Sequence, residues 1–168
     1  MTTDMRTQVQ ALYQELGPAL LLYARSIVPD VSSAEDALHQ VFLKLLSGEA
    51  AMPEDPRPYL YRSVRNAALN ARRGEVRERA RSAGLAETRR EAMPMFTAPQ
   101  GLDEARGALE EALSTLPDEQ REVVVLRTWG EMTFDQVGDL LGIPPNTAAS
   151  RHRYALEKLR ERLARWAE

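Results

Sequence analysis

The 168-residue chain has no cysteine, two histidines, two lysines and no long apolar run. Without cysteine there is no disulfide, no thiolate nucleophile and no cysteine-based zinc site. Scarce histidine narrows the metal chemistry further. Glu35, Asp36 and His39 have ligand-like helical spacing, but a carboxylate-bridged metal bundle repeats a Glu-x-x-His pattern on each of two helices. The other histidine, His152, lies in an arginine-rich segment. No catalytic site, metal or cofactor is expected, and the chain reads as a binding protein. A membrane span needs about 20 apolar residues in succession, whereas the longest apolar cluster, Ala19 to Ala24, is bounded by Pro18 and Arg25. No basic N-terminal region precedes an apolar core, so no signal peptide is expected. The expectation is a cytoplasmic protein without membrane insertion.

What the chain does contain is segregated charge. The net charge is −3, but it alternates along the sequence: −5 over residues 1–56, +6 over 57–91, −7 over 92–145 and +3 over 146–168. The basic residues are nearly all arginine, whose planar fork suits guanine and phosphate. Local basic blocks, not global charge, set the electrostatic footprint for a nucleic acid.

Nearly every segment has helical period, and no strand pattern is convincing. A first helix is expected over about 5–28, with Val9, Leu12, Leu16, Leu20, Tyr23 and Ile27 inward and Gly17-Pro18 interrupting or kinking it. Ser32 and Glu35 have capping-box spacing for a second helix over about 33–47. Its inward residues are Ala34, Leu38, Val41, Phe42 and Leu45. Residues 47–58 form a proline-rich loop, and a third helix begins near Pro58 and extends into GEVRERARS. Residues 84–107 read as a flexible linker by composition, with helical period resuming at about 103–115 and again at 118–128. The fold class expected is all-α: two small helical domains, 1–83 and 108–168, joined by that linker.

The segment TFDQVGDLLGIPPNTAASRHRYALEKLRERL, residues 133–163, is a helix, a tight turn and a longer helix. Thr133 and Gln136 have capping-box spacing. Phe134, Val137, Leu140 and Leu141 form one apolar face. Gly142 suits a left-handed C-cap, and Pro144-Pro145 block continuation. Asn146 or Thr147 can cap the second helix, whose buried stripe is Ala148, Ala155, Leu156, Leu159 and Leu163. Asn146, Thr147, Ala149, Ser150, Arg151 and Arg153 are the candidates for contact with DNA, the grammar of a helix-turn-helix. Trp129 and Trp166 read as packing residues. In the first half, Tyr59, Arg62, Arg65, Asn66, Asn70 and Arg73 recur at roughly helical spacing. Aromatic rings with arginine and asparagine suit unstacked bases and a single-strand backbone.

From about Leu12 to Leu163 the chain resembles the small, two-domain sigma factors of bacterial RNA polymerase, the extracytoplasmic-function type. Three segments carry the resemblance. AEDALHQVF, at Ala34–Phe42, is similar to the family segment that binds the polymerase clamp helices. YLYRSVRN, at Tyr59–Asn66, is similar to the segment that recognises and opens the −10 element. LSTLPDEQREVVVLR with the helix-turn-helix is similar to the domain that reads the −35 element.

The resemblance implies that Glu35, Asp36, His39 and Gln40 meet polymerase, and that Tyr59, Arg62, Arg65, Asn66, Asn70 and Arg73 serve the −10 element. It assigns Asn146, Thr147, Ala149, Ser150, Arg151 and Arg153 to the −35 element. The partners implied are core RNA polymerase, through its clamp helices and flap, and promoter DNA, with an anti-sigma factor as a further candidate. Three positions depart from the family pattern: Ala148-Ala149, where a bulkier aliphatic and a basic residue are common; Tyr154, at a commonly basic position; and Gly138, in place of a usual alanine. The competing reading is a helix-turn-helix regulator that binds duplex DNA without polymerase, which leaves YLYRSVRN without a purpose.

Overall fold

The computed structural model describes residues 3–82 and 103–167. The chain divides into two compact units, Met1–Met93 and Pro94–Glu168. The described residues of both are helical, with no strand among them.

The first unit is a three-helix bundle of α1 (Thr3–Ile27), α2 (Val31–Ser47) and α3 (Pro56–Arg81), each packed on the other two. Leu20, Tyr23 and Ala24 of α1 meet Ala34, Leu38 and Leu45 of α2 and Leu60, Tyr61, Val64 and Ala68 of α3 in its buried core. The rings of Tyr23 and Tyr61 lie 5.5 Å apart. Each leucine-sized side chain so buried contributes about 1.5–3 kcal/mol.

Gly17-Pro18 do not end α1, because Pro18 faces outward and the helix continues through it. The start of α2 differs from the expected Ser32 cap. Asp30 is the N-cap, and its carboxylate accepts from the backbone N–H of Ser33 at 3.1 Å. Gly48 closes α2 in the left-handed conformation, φ 78°. Helix α3 starts two residues before the expected Pro58 and runs through GEVRERAR to Arg81. It is tied to α2 where Ser33 donates its hydroxyl to Glu75 at 2.6 Å.

The second unit contains α4 (Asp103–Ser114), α5 (Asp118–Thr128), α6 (Phe134–Leu141) and α7 (Pro145–Ala167), with α7 packed on the other three. Because α4 begins at Asp103, residues 103–107 of the expected linker are helix; residues 84–102 of it lie outside the described residues. Leu113, Leu116, Val124, Ala155 and Leu159 form the core, with Trp129, Leu156 and Leu163 packed around it. Trp166, expected to pack, is instead 51% exposed.

The α4–α5 turn is held by Arg121. Its guanidinium donates to the carbonyls of Leu113 (3.0 Å) and Leu116 (2.8 Å) and to the carboxylate of Asp118 (3.1 Å). It thereby ties the end of α4 and the turn that follows to the first turn of α5.

Candidate nucleic-acid interface

Helix α7 is aimed by the turn before it. Thr133 and Gln136 form the expected capping box, with bonds of 3.2 and 2.9 Å. Gly142 is left-handed at φ 68°. The expected cap at Asn146 or Thr147 is not what starts α7. Pro145 is its first residue, with its fixed φ already suited to a helix. The carbonyl of Pro144 accepts from Thr147 and Ala148 at 3.0 and 3.1 Å. Asn146 and Thr147 are therefore inside the first turn.

Ala148, Ala155 and Leu159 are buried and define the inner side of α7. Asn146, Ser150, Arg153 and Tyr154 are exposed, while Thr147, Ala149 and Arg151 are partly covered. The candidates thus separate. Asn146, Ser150 and Arg153 point away from the core. Arg151 lies on the flank toward α5, in an ion pair with Glu119 at 3.2 Å. Ser150 donates its hydroxyl to the carbonyl of Asn146 at 3.0 Å. Behind this face, Arg127 sits 4.4 Å from the ring centre of Phe134 and donates to the Met132 carbonyl. The ring of Phe134 meets His152 edge-on at 5.5 Å. Burial first, and then the charge of Arg127, hold the His152 pKa below its ordinary value, so this ring favours its neutral form.

On α3, Tyr59, Arg62, Asn66, Asn70 and Arg73 fall on one stripe at offsets of three, seven, eleven and fourteen residues. Successive residues turn by about 100°, which puts Arg65 round the helix from Asn66 and off the stripe. Tyr59, Asn66 and Asn70 share a polar cleft of about 220 Å³ with Ser63 of α3 and Gln40 and Lys44 of α2. Tyr61 is fully buried and belongs to the core. The sequence reading missed Lys44 and Ser63, whose contribution depends on how α2 lies against α3.

Glu35, Asp36, His39 and Gln40 are all exposed on α2. Leu43, one turn beyond His39, continues this face and is 62% exposed. Tyr13 reaches across from α1: its ring stacks near His39 and meets Phe42 edge-on at 5.0 Å. Together with Arg6, Val9 and Leu46 these side chains line an apolar groove of about 510 Å³. The sequence missed Leu43 and Tyr13, although the spacing Asp36–His39–Leu43 was a readable signal. Among the described residues no cluster of histidine and carboxylate side chains could hold a metal ion. No helix among them is long and apolar enough to cross a membrane.

The two units match two known sequence families. Residues 12–78 match Sigma-70 region 2, and residues 112–161 match Sigma-70 region 4. An RNA polymerase sigma-E factor of Streptomyces coelicolor is 34% identical over 148 residues, covering 86% of this chain and 80% of that one. The chain belongs to the sigma-70 family of RNA polymerase sigma factors.

A second relative of this sigma factor, the RNA polymerase sigma factor CarQ of Myxococcus xanthus, is 30% identical over 155 residues, covering 90% of this chain and 87% of that one. The fold is that of the sigma factor RpoE of Bartonella quintana, solved in complex with the anti-sigma factor NepR. That structure matches with a TM-score of 0.73 over 97% of this chain and 98% of the other, at 22% identity. The region 2 match contains YLYRSVRN, the block that a polymerase-independent regulator leaves without a purpose, so that alternative is not favoured.

Proposed function

We propose that this sigma factor binds core RNA polymerase and directs it to a class of promoters by reading two elements. The α3 stripe, which contributes Tyr59, Asn66 and Asn70 to the cleft, serves the opened −10 strand. The outward face of α7 serves the −35 duplex. The protein acts as a binding protein, with no reaction of its own.

The observation that carries this reading is the convergence of Tyr59, Asn66 and Asn70 with Gln40 and Lys44 on one polar cleft. A cleft of this kind supplies a π-face for stacking, amides for a base edge and a cation for the backbone, the combination that single strands require. It is smaller than the pockets that take drug-sized ligands and suits a single heterocycle. The exposed face of α2, from Glu35 through Gln40 to Leu43, is the surface assigned to polymerase. The adjoining apolar groove extends it, and an anti-sigma factor that competes for this face is the corresponding candidate partner.

The test is run-off transcription with full-length protein and core polymerase, on templates from a library randomised at both elements. Sequence-dependent transcripts that require the protein are expected. Transcription that is indifferent to both elements, or that proceeds equally without the protein, overturns the reading.

A further inference from the structure

Thr147, Ser150 and Arg151 of α7 form a T-x-x-S-R motif like that of the family, which stops at Arg151, but the exposed face of the helix does not. Arg151 is paired with Glu119 on the flank. The next exposed residues are Arg153 and Tyr154, and Tyr154 is 48% exposed. Its ring lies beside the Arg153 guanidinium, 5.0 Å from charge centre to ring centre. Neither side chain belongs to the core cluster of its unit.

We propose that Tyr154 reads bases, packing its ring against the C5-methyl group of a thymine in the −35 duplex, next to a guanine read by Arg153. The inference rests on the promoter-reading function proposed above and names a specificity residue for it. Three observations carry it. First, the exposed side chains on the side of α7 away from the buried stripe of Ala148, Ala155 and Leu159 include Asn146, Ser150, Arg153 and Glu157, with Tyr154 at their edge, so Tyr154 borders the face that a major groove would meet. Second, the base edges in that groove display hydrogen-bonding groups in all four base pairs and one apolar group, the thymine methyl. An exposed aromatic ring among polar readers matches that group. Third, the ring and guanidinium hold each other by a cation–π contact. This leaves the planar donor fork of Arg153 next to the ring, suited to the O6 and N7 acceptors of guanine. Ala149 adds no bulk that would hold the helix away from the bases.

The experiment uses holoenzyme assembled from full-length protein and core polymerase, on the promoter it selects best from randomised DNA. Each −35 thymine is replaced in turn by deoxyuridine, which removes the methyl group and keeps every hydrogen-bonding atom. Wild-type holoenzyme is expected to lose about fourfold in promoter affinity at one such position, the scale of one buried methyl-sized group. Tyr154→Phe keeps that discrimination, and Tyr154→Ala abolishes it while the protein still supports transcription.

Discrimination unchanged in Tyr154→Ala overturns the proposal, as does the absence of any deoxyuridine effect with wild type. Loss of discrimination in Tyr154→Phe also overturns it, because the hydroxyl would then be the contacting group. In all three cases the promoter-reading function survives, since holoenzyme still selects its sequence. A holoenzyme that selects no sequence overturns both.

Discussion

Gly138 is buried in α6, and a Cβ placed there would lie 2.6 Å from the carbonyl oxygen of Ile143 and 3.4 Å from the nitrogen of Pro145. The residue that departs from the family's usual alanine is the one on which this turn closes. Alanine would favour the helix by about 1 kcal/mol, but the turn backbone would have to move, and such overpacking costs about 1–3 kcal/mol. Gly138→Ala is therefore expected to destabilise the second unit by up to about 2 kcal/mol. Both tryptophans, Trp129 and Trp166, lie in that unit, so fluorescence-detected urea unfolding reports on it. A stability gain would show that the turn relaxes freely. His152, about two turns into α7, makes the same unit sensitive to pH. Its pKa is lowered in the folded state by burial and by Arg127, so below the ordinary value of 6.5 the unfolded chain takes up a proton that the folded chain resists. The stabilising contribution is present above that pH, declines as pH falls through 6.5, and levels off below the lowered folded-state pKa. Comparing wild type with His152→Gln between pH 7.5 and 5 isolates it; equal slopes would remove His152 as the cause.

Helix α2 shows how one element can serve packing and recognition together. Its inner residues Ala34, Leu38, Val41, Phe42 and Leu45 are buried, while Glu35, Asp36, His39 and Gln40 stand exposed on the remaining surface. Reversing one exposed charge should leave the bundle intact, since surface changes away from special features shift stability by about 0.5 kcal/mol or less. Asp36→Arg is expected to weaken binding to core polymerase by about tenfold or more, the scale of a misplaced charge at an interface, with an unchanged melting temperature. Undiminished affinity would take this face out of the contact.

The same element marks what could be read from sequence. Strong punctuation placed the helices: Leu116-Pro117-Asp118 set the start of α5 at Asp118, and Thr133, Gln136 and Gly142 bounded α6. Errors arose where two residues competed for one cap. Asp30 displaced Ser32 because its carboxylate reaches the Ser33 N–H. Pro145 displaced Asn146 and Thr147 because it needs no donor at the first helical position. For the candidate site, spacing showed which residues share a side of one helix: on α3 it groups Tyr59, Arg62, Asn66, Asn70 and Arg73 and leaves Arg65 apart. Contributions across helices, such as Lys44 at the α3 cleft or Tyr13 beside His39, were not, since periodicity says nothing about which faces meet. Arg151 matched its motif, yet only the packing of α5 against α7 revealed its pairing with Glu119.

Across the whole molecule, the basic blocks of the sequence contribute the two helices assigned to DNA, and the acidic blocks lie elsewhere: residues 57–91 carry +6 and include most of α3, and 146–168 carry +3 and cover most of α7. A chain of net charge −3 has little general attraction for a polyanion, so specificity has to come from engaging both elements at once. Linking two modest contacts raises overall affinity by about 10²–10⁴ when the geometry permits both, and by nothing when it does not. Promoter spacing is therefore the decisive variable. An insertion of about five base pairs between the elements turns the −35 groove half a helical turn away. The α7 face then cannot meet it while the α3 cleft holds the −10 strand. Holoenzyme affinity for such a template is expected to fall by about 10²-fold or more, the full gain from linkage, matching a template whose −35 element is scrambled. An insertion of about ten base pairs restores the facing but moves the element away by about 34 Å. Recovery with the longer insertion, measured by filter binding or run-off yield, should therefore be partial. If the half-turn insertion costs no more than a single mismatched base pair, the two units do not read the promoter together.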